Sequence, residues 1–452
     1  MDRFAAEKMR RNKVLSWIES RTVEVLRLLF HQRSVDTPRL LASVGLCPRV
    51  AALGTPLKRG IIDARSKQKK SPLERGAPQG RGVSAIGAYM LVGLAVGFLA
   101  CQPEGETPLP EHEASTPTVI DGKFTPPAGQ TLLILGQDLG SIAEYKAALG
   151  LEPGGVTTYT NISETEPALL NGLEAPADWG AGDVNAAQNL TDDPQAALAI
   201  GLYIVDNSGT NLAHLADGTH DAAIDRLGAF IQRAARPVYL RIGYEFDGPW
   251  NHYEPEPFIA AWRHIVDRLR QQGVTNFATV WQSATYTFGA YKNLPIEAWY
   301  PGDDYVDWMG TSHFIFDQTV QDRFLDYARA HRKPVLIAES TPQGYDLDEL
   351  TYSAPNDGQT FTPKTADAIW NEWFDPFFAF IHDNADVIRA VAYINADWHS
   401  QAMWGSDGGN GYWGDTRVQV NDTIQQRWLA EIGAPFWLHG SPDLFETLGY
   451  TE

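Results

Sequence analysis

The chain has 452 residues, of which 36 are Lys or Arg, 56 are Asp or Glu and two are cysteines, Cys47 and Cys101. A formal charge of −20 argues against nucleic acid or any other polyanion as a partner, and two cysteines exclude both a disulfide framework and a cysteine-built zinc site. The charge is unevenly divided: residues 1–81 hold 18 Lys+Arg against 7 Asp+Glu, a net of +11, which leaves −31 for residues 82–452.

Residues 1–80 are a basic extension, read as an upstream extension or a misplaced start and not as a nucleic-acid-binding domain, because nothing beyond charge supports one. Residues 81–101 follow a different logic. VSAIGAYMLVGLAVGFLA, residues 83–100, is an uncharged run after Arg75 and Arg81, and it ends at Cys101. A basic flank, an apolar core and small residues before a break describe an export signal. FLAC resembles a bacterial lipoprotein box, with Phe98 where Leu is usual; this implies lipidation at Cys101 and an extracytoplasmic, membrane-anchored protein. The alternative is an uncleaved anchor, since 18 apolar residues are about the minimum span. Residues 102–128, rich in Pro, Glu and Thr, are expected to form a flexible acidic linker.

From Thr131 short apolar strands alternate with longer amphipathic stretches. TLLILGQDL predicts a strand and SIAEYKAALG a helix closed by Gly150. GGVTTYTNIS and ALAIGLYIV are the next two strands, separated by a long loop with room for a short helix. HDAAIDRLGAFIQRAAR is a helix, PVYLRIGYEF the fourth strand, and EPEPFIAAWRHIVDRLRQQG a helix with a Pro-containing start and a Gly stop. NFATVWQSA, VDWMGTSHF, KPVLIAES and RAVAYINADWH complete eight strands, with helices over QDRFLDYARAHR, TADAIWNEWFDPFFAFIHDNA and DTIQQRWLAEI. Trp370, Trp373 and Trp428 lie on those helices and are expected to pack against the sheet. The alternation predicts a single (β/α)8 barrel over 129–452, because a doubly wound sheet would carry a glycine fingerprint after its first strand and GQDLGS is not one.

Chemistry in such barrels sits where strands end and βα loops begin. Polar residues there include Gln137, Asn161, Asp206, Gln282, His313 and Asp397, but the glutamates are only Glu245 on strand 4 and Glu339 on strand 7. Inward carboxylates on strands 4 and 7 can face each other across a bound sugar chain. Two carboxylates flanking a glycosidic bond are the apparatus for its hydrolysis, with retention of configuration when they are close. Glu245 lies among Tyr244, Phe246 and Trp250, whose apolar surroundings would raise its proton affinity, whereas Glu339 is followed by Ser340 and Thr341. The first is the expected acid/base and the second the expected nucleophile.

Arg241 to Trp250, RIGYEFDGPW, with the Arg four residues before the Glu, resembles glycoside hydrolase family 26, as do WRHIVDRLR, GVTNFATVWQ, YPGDDYVDWMG and KPVLIAES in the same order. The resemblance implies a retaining, endo-acting glycanase of β-mannanase or β-1,3-xylanase type. It also implies that Arg241 supports the site from inside and that Trp398 is a platform under the sugar being cleaved. Trp250 and Trp281 are candidate aromatics of neighbouring subsites, with Tyr244, Gln282 and His313 also candidates for substrate contact. Mannan-cleaving members commonly have His before the acid/base and Asn two residues after it, where this chain has Tyr244 and Asp247; that departure favours the β-1,3-xylanase branch.

Each assignment has a structural alternative. Either glutamate can be a capped or salt-bridged structural carboxylate, Arg241 a neutraliser of interior charge, Trp250 and Trp281 core packing, and His313 a satisfied buried histidine. A non-catalytic glycan-binding lipoprotein is the competing function, although it would have no need of both carboxylates. A phosphate-handling barrel would want a Gly-rich loop with basic residues after strands 7 and 8, and ESTPQG and NADWHSQ offer neither. The strongly acidic charge points to a neutral polysaccharide as substrate. No cofactor and no metal ion are expected at the site, and a monomer is the expected state.

Overall fold

A computed structural model of the protein describes residue 120 and residues 122–451, apart from 167, 207–208, 286–290, 316 and 405–409. The basic extension 1–80, the apolar segment 81–101 with Cys101 and nearly all of the acidic stretch after it lie outside the described residues.

All eight expected strands are present: β1 Thr131–Gly136, β2 Gly155–Asn161, β3 Ala197–Tyr203, β4 Val238–Ile242, β5 Phe277–Ser283, β6 Trp308–His313, β7 Val335–Ser340 and β8 Ile388–Ile394. Each pairs in parallel with the next, and β8 returns to β1 with Leu132 opposite Ala390 and Gly136 opposite Ile394, which closes a (β/α)8 barrel. Closure leaves the ladder without an exposed edge.

Strand alternation divides the core in two. Leu132, Ile134, Ala197, Ala199, Tyr239, Ala278, Val280, Trp308, Leu336, Ala338, Ala390 and Ala392 fill the barrel interior. Their neighbours, including Leu133, Leu198, Ile200, Leu240, Met309 and Ile337, face the helices. The many inward alanines leave space that Trp308 and Tyr239 occupy edge to face, ring centres 5.3 Å apart.

Both large rings reach the bottom of the barrel. Tyr239 Oη donates to the Phe124 carbonyl and Trp308 Nε1 to that of Lys123, each at 2.7 Å, while Arg389 Nη2 donates to Pro126 O at 2.6 Å. Packed residues therefore precede the expected boundary at 129, and they include Ile120 as well as the stretch from Gly122. Those residues carry Phe124 and the backbone acceptors Lys123, Phe124, Pro126 and Pro127 for buried donors, which a composition rich in Pro and Thr conceals.

The helices follow the predicted amphipathic stretches. Leu139–Leu149 is capped by Asp138, which accepts from the Ser141 N–H at 2.9 Å, and is stopped by left-handed Gly150 at φ 66°. Pro255–Gln271 has proline in its first turn and buries Phe258, Trp262, Ile265 and Leu269 at helical spacing, each contributing about 2–3 kcal/mol by removal from water. After β7 the chain runs through Ala366–Ile369, a π turn Trp370–Phe374 and Asp375–Asp383. Trp370 and Trp373 from this stretch and Trp428 from Asp422–Ile432 are buried in the outer core, as expected. The long loop after β2 holds a small hairpin, Ala177–Asp178 with Asp183–Val184, and the helix Ala186–Asp192. Among the described residues no helix is long and apolar enough to cross a membrane.

Candidate active site

β4 ends at Ile242, and the backbone then passes through two left-handed residues, Gly243 at φ 51° and Glu245 at φ 52°. Glycine takes this conformation freely, whereas for a glutamate it costs about 1–2 kcal/mol. Local bonds hold the turn. Asn251 Nδ2 donates to the carbonyls of Tyr244 and Glu245 at 3.1 and 3.0 Å. Asp247 accepts from Ser283 Oγ and from the Ala284 N–H, both at 2.7 Å, which ties the turn to the end of β5.

The Glu245 carboxyl is buried and accepts two hydrogen bonds, from Ser312 Oγ to Oε1 at 2.8 Å and from Trp250 Nε1 to Oε2 at 2.9 Å. Gly248 permits the second. A Cβ there would lie 2.6 Å from the Trp250 indole, so only glycine lets that ring fold back over the turn. Trp250 remains 46% exposed. Burial, and after it the negative charge of Glu339, push the Glu245 carboxyl up to about 8, against the downward pull of the Ser312 and Trp250 hydrogen bonds. At neutral pH Glu245 carries a proton.

Glu339, at the end of β7, has a different setting. It forms an ion pair with Arg241 Nη2, and Tyr159 Oη donates to it at 3.0 Å. Arg241 is completely buried, its guanidinium lying 5.4 Å from the centre of the Tyr159 ring and 5.2 Å from that of Tyr244. A buried guanidinium is tolerable when a carboxylate and neutral acceptors surround it. Its Nε donates to Gln282 Oε1 at 2.8 Å, and Gln282 Nε2 donates in turn to Ser312 Oγ at 3.1 Å. Tyr159 reaches Glu339 because Gly201 on β3 lacks a side chain; a Cβ there would fall 2.5 Å from the ring. Burial, and then the Glu339 charge, hold the Tyr159 hydroxyl well above the usual tyrosine range, so it stays a donor.

The expected residues Glu245, Glu339, Arg241, Tyr244, Gln282 and Trp250 are thus brought together at the strand ends. Trp281 and His313 are not. Trp281 is fully buried on the helix side of β5, stacked on Phe246 with ring centres 4.3 Å apart, and it donates to Trp299 O at 3.1 Å. Phe246 accordingly faces away from the acid it was expected to shield. His313 also points outward, against Phe377 and Phe380 at 4.9 and 5.5 Å, and burial lowers it to about 3, which keeps it neutral. The inward residue at the end of β6 is Ser312. Trp398, after β8, is buried in a separate aromatic cluster with Trp404 and Trp413, and its indole donates to Thr416 Oγ1 at 2.9 Å. Tyr159 and Ser312 were not singled out from sequence. The sequence signal for the first is a tyrosine on the inward face two places before a strand end, but its pairing with Gly201 on the next strand shows only in the fold.

One carboxyl bound to a buried guanidinium and another held protonated beside an exposed indole, at the mouth of one barrel, define a site for glycoside hydrolysis. Comparison with known proteins agrees. Residues 202–374, which include both glutamates, match the model of glycosyl hydrolase family 26. The β-1,3-xylanase TXYA of a Vibrio species is 41% identical over 336 residues, covering 73% of this chain and 70% of that protein. A β-1,3-xylanase of an Alcaligenes species is 40% identical over 336 residues, covering 73% of this chain and 69% of its own length. Among solved structures, the GH26 β-mannanase of Bacteroides ovatus is 16% identical, covers 70% of this chain and 93% of that chain, and has a TM-score of 0.45. The chain belongs to glycosyl hydrolase family 26. It is a glycoside hydrolase of the xylanase or mannanase type.

Proposed function

We propose that the protein is an exported, endo-acting, retaining glycanase that cleaves β-1,3-xylan, with Glu339 as nucleophile and Glu245 as acid/base. The observation that carries this reading is the contrast between the two carboxyl groups: Glu339 is held by Arg241 and Tyr159, while Glu245 is pushed up to about 8. Glu339 attacks the anomeric carbon as Glu245 gives its proton to the leaving oxygen, and a glycosyl ester forms. Esterification removes the Glu339 charge, the second cause of the raised Glu245 value. Glu245 is then a weaker acid's conjugate no longer; its affinity for a proton falls, it remains ionised, and it takes a proton from the water that attacks the ester. The same electrostatic coupling serves both half-reactions.

Stacking on the exposed Trp250 face suits the apolar C–H faces of a sugar. The net charge of −31 on residues 82–452 suits a neutral chain. The names of the two relatives, together with Tyr244 and Asp247 in place of the His and Asn common in mannan-cleaving members, favour β-1,3-xylan over mannan. FLAC ahead of an acidic stretch supports lipidation at Cys101 and an extracytoplasmic location. The test is a reducing-end assay of the purified protein on β-1,3-xylan, β-1,4-xylan, β-mannan and β-glucans, with the anomer of the first product read by NMR. Release of oligosaccharides from β-1,3-xylan in the β configuration is expected. Inactivity on β-1,3-xylan removes the substrate, and α product removes the mechanism. Replacing Cys101 by Ala should abolish incorporation of a fatty-acid analogue, and equal labelling of wild type and variant rules lipidation out.

A further inference from the structure

Away from the carboxylate pair, the loop after β2 and the segment after β3 bring three further groups together: Glu164, His214 and His220, whose donor atoms all lie within 4.8 Å of one another. We propose that these three residues bind a divalent transition-metal ion, zinc foremost, which fastens the loop after β2 to the helices after β3.

The donor set is the first argument. Two imidazole nitrogens and one carboxylate oxygen suit zinc and its neighbours and are poor ligands for calcium or magnesium, which take oxygen only. The geometry is the second. Glu164 Oε1 lies 2.8 Å from His214 Nδ1 and 3.3 Å from His220 Nε2. Ligands held about 2.0–2.1 Å from a tetrahedral ion stand about 3.4 Å apart, so His220 and Glu164 are already at that spacing and the His214–Glu164 pair must open to admit the ion.

His220 supplies the third argument. Its side chain is only 8% exposed, and its Nε2 faces Glu164 at 3.3 Å without a hydrogen bond to any group among the described residues. A buried ring nitrogen with no hydrogen bond is costly, and a metal ion would satisfy it. Glu164 and His214, at 39% and 36% side-chain exposure, leave the opposite side open, so a water can complete the coordination.

The frame around the three is rigid. The Glu164 N–H donates to Asn211 Oδ1 at 3.2 Å, and the fully buried Asn211 Nδ2 donates to the carbonyls of Ile162 and Ile204, each at 2.8 Å. Asn211 lies on the same short helix as His214, Thr210–Ala216, so one side chain sets the spacing between two of the ligands. The partners of Glu164 are His214, His220 and the Asn211 amide, and neither Glu245 nor Glu339 is among them, so the ion is assigned as a structural clip and not as a participant in hydrolysis.

The test uses the whole protein, stripped with chelator and dialysed. Calorimetric titration with zinc chloride should show one equivalent bound per chain, with a rise in melting temperature, and cobalt(II) chloride should give the intense visible bands of a four-coordinate site. His214→Ala, a change at a half-exposed position that leaves the fold intact, should weaken zinc binding at least about tenfold and cancel the thermal shift. His220→Ala should abolish both. Hydrolysis at 25 °C should be unchanged by chelator in the wild type. Absence of saturable binding near one equivalent, equal binding by wild type and both variants, or loss of turnover on chelation with the fold intact would each overturn the proposal.

Discussion

Glu339 and Glu245 are joined by a single chain of hydrogen bonds that crosses the barrel mouth, from Glu339 to Arg241 Nη2, from Arg241 Nε to Gln282 Oε1, from Gln282 Nε2 to Ser312 Oγ, and from Ser312 Oγ to Glu245 Oε1. Every donor in it is directed. The arginine can only donate, so the Gln282 amide must turn its oxygen towards Arg241 and its nitrogen towards Ser312, which leaves the serine proton for Glu245. The two carboxyl groups therefore influence one another through ordered dipoles as well as through space.

The pH dependence of turnover follows from the end of this chain. Activity on polysaccharide requires Glu245 protonated, so kcat/KM should fall on the alkaline side with an apparent pKa near 8. Ser312→Ala removes a hydrogen bond that pulls this value down, so the alkaline limb should move up by about one unit, the equivalent of one hydrogen bond to an ionised group. A profile in which the limb stays in place, or moves down, would separate Ser312 from Glu245.

The same raised carboxyl has a consequence for stability. The Glu245 value is about 8 in the folded protein against a reference of 4.5, so between those limits the native state holds a proton that the unfolded chain has lost. The contribution of this group is fully present below pH 4.5 and declines as the pH rises through 8, by about 1.4 kcal/mol per unit. Glu245→Gln removes the decline, so denaturant unfolding should show the variant gaining on wild type between pH 5 and pH 8. A constant difference across that range would show that the folded protein does not shift this carboxyl.

Tyr159 should matter more than its place in the sequence suggests. Tyr159→Phe deletes the hydroxyl that donates to Glu339 and leaves Arg241 as the remaining donor described to that carboxylate. A loss of kcat on the order of 10²-fold with little change in KM is expected. Gly201→Ala, which places a Cβ 2.5 Å from the same ring, should give a similar loss by displacing the tyrosine, although it touches no polar atom. Unaltered kcat in both variants would show that Arg241 alone orders Glu339.

The barrel and its two glutamates were legible because period-two strands, amphipathic helices and strand-end carboxylates are all written locally. Facing was harder. Gln282 and Trp281 are adjacent on β5 and so point to opposite faces; once Gln282 binds Arg241, Trp281 must pack outside. His313 yields to Ser312 by the same alternation: with Trp308 inward and Met309 outward, Ser312 faces the barrel and His313 the helices. The irregularity lies on the neighbouring strand, where pairing passes from Thr311–Ile337 to Ser312–Glu339 and Ala338 is the extra residue. It is Glu339, not His313, whose facing depends on that bulge. Tyr159 was hidden likewise, since its access to Glu339 depends on Gly201 some forty residues later.

The two carboxylates should also be separable by kind of defect. Glu339→Ala removes the atom that forms the glycosyl ester, so turnover should vanish for every substrate, activated aryl glycosides included. Azide can then restore activity only by entering the space left and attacking from that face, which gives a product of inverted configuration. Glu245→Ala removes a proton donor and leaves Glu339 held by Arg241 and Tyr159. An aryl glycoside with a good leaving group needs no proton, so Glu339 should still be glycosylated, while polysaccharide cleavage falls by about 10²–10⁴-fold. The ester should then accumulate, visible as a burst of released aryl alcohol, and azide should discharge it to a product of retained configuration. The mass of the trapped ester should lie on the peptide that contains Glu339. An ester on another residue, or an inverted product from the Glu245→Ala variant with azide, would exchange or abolish the two roles.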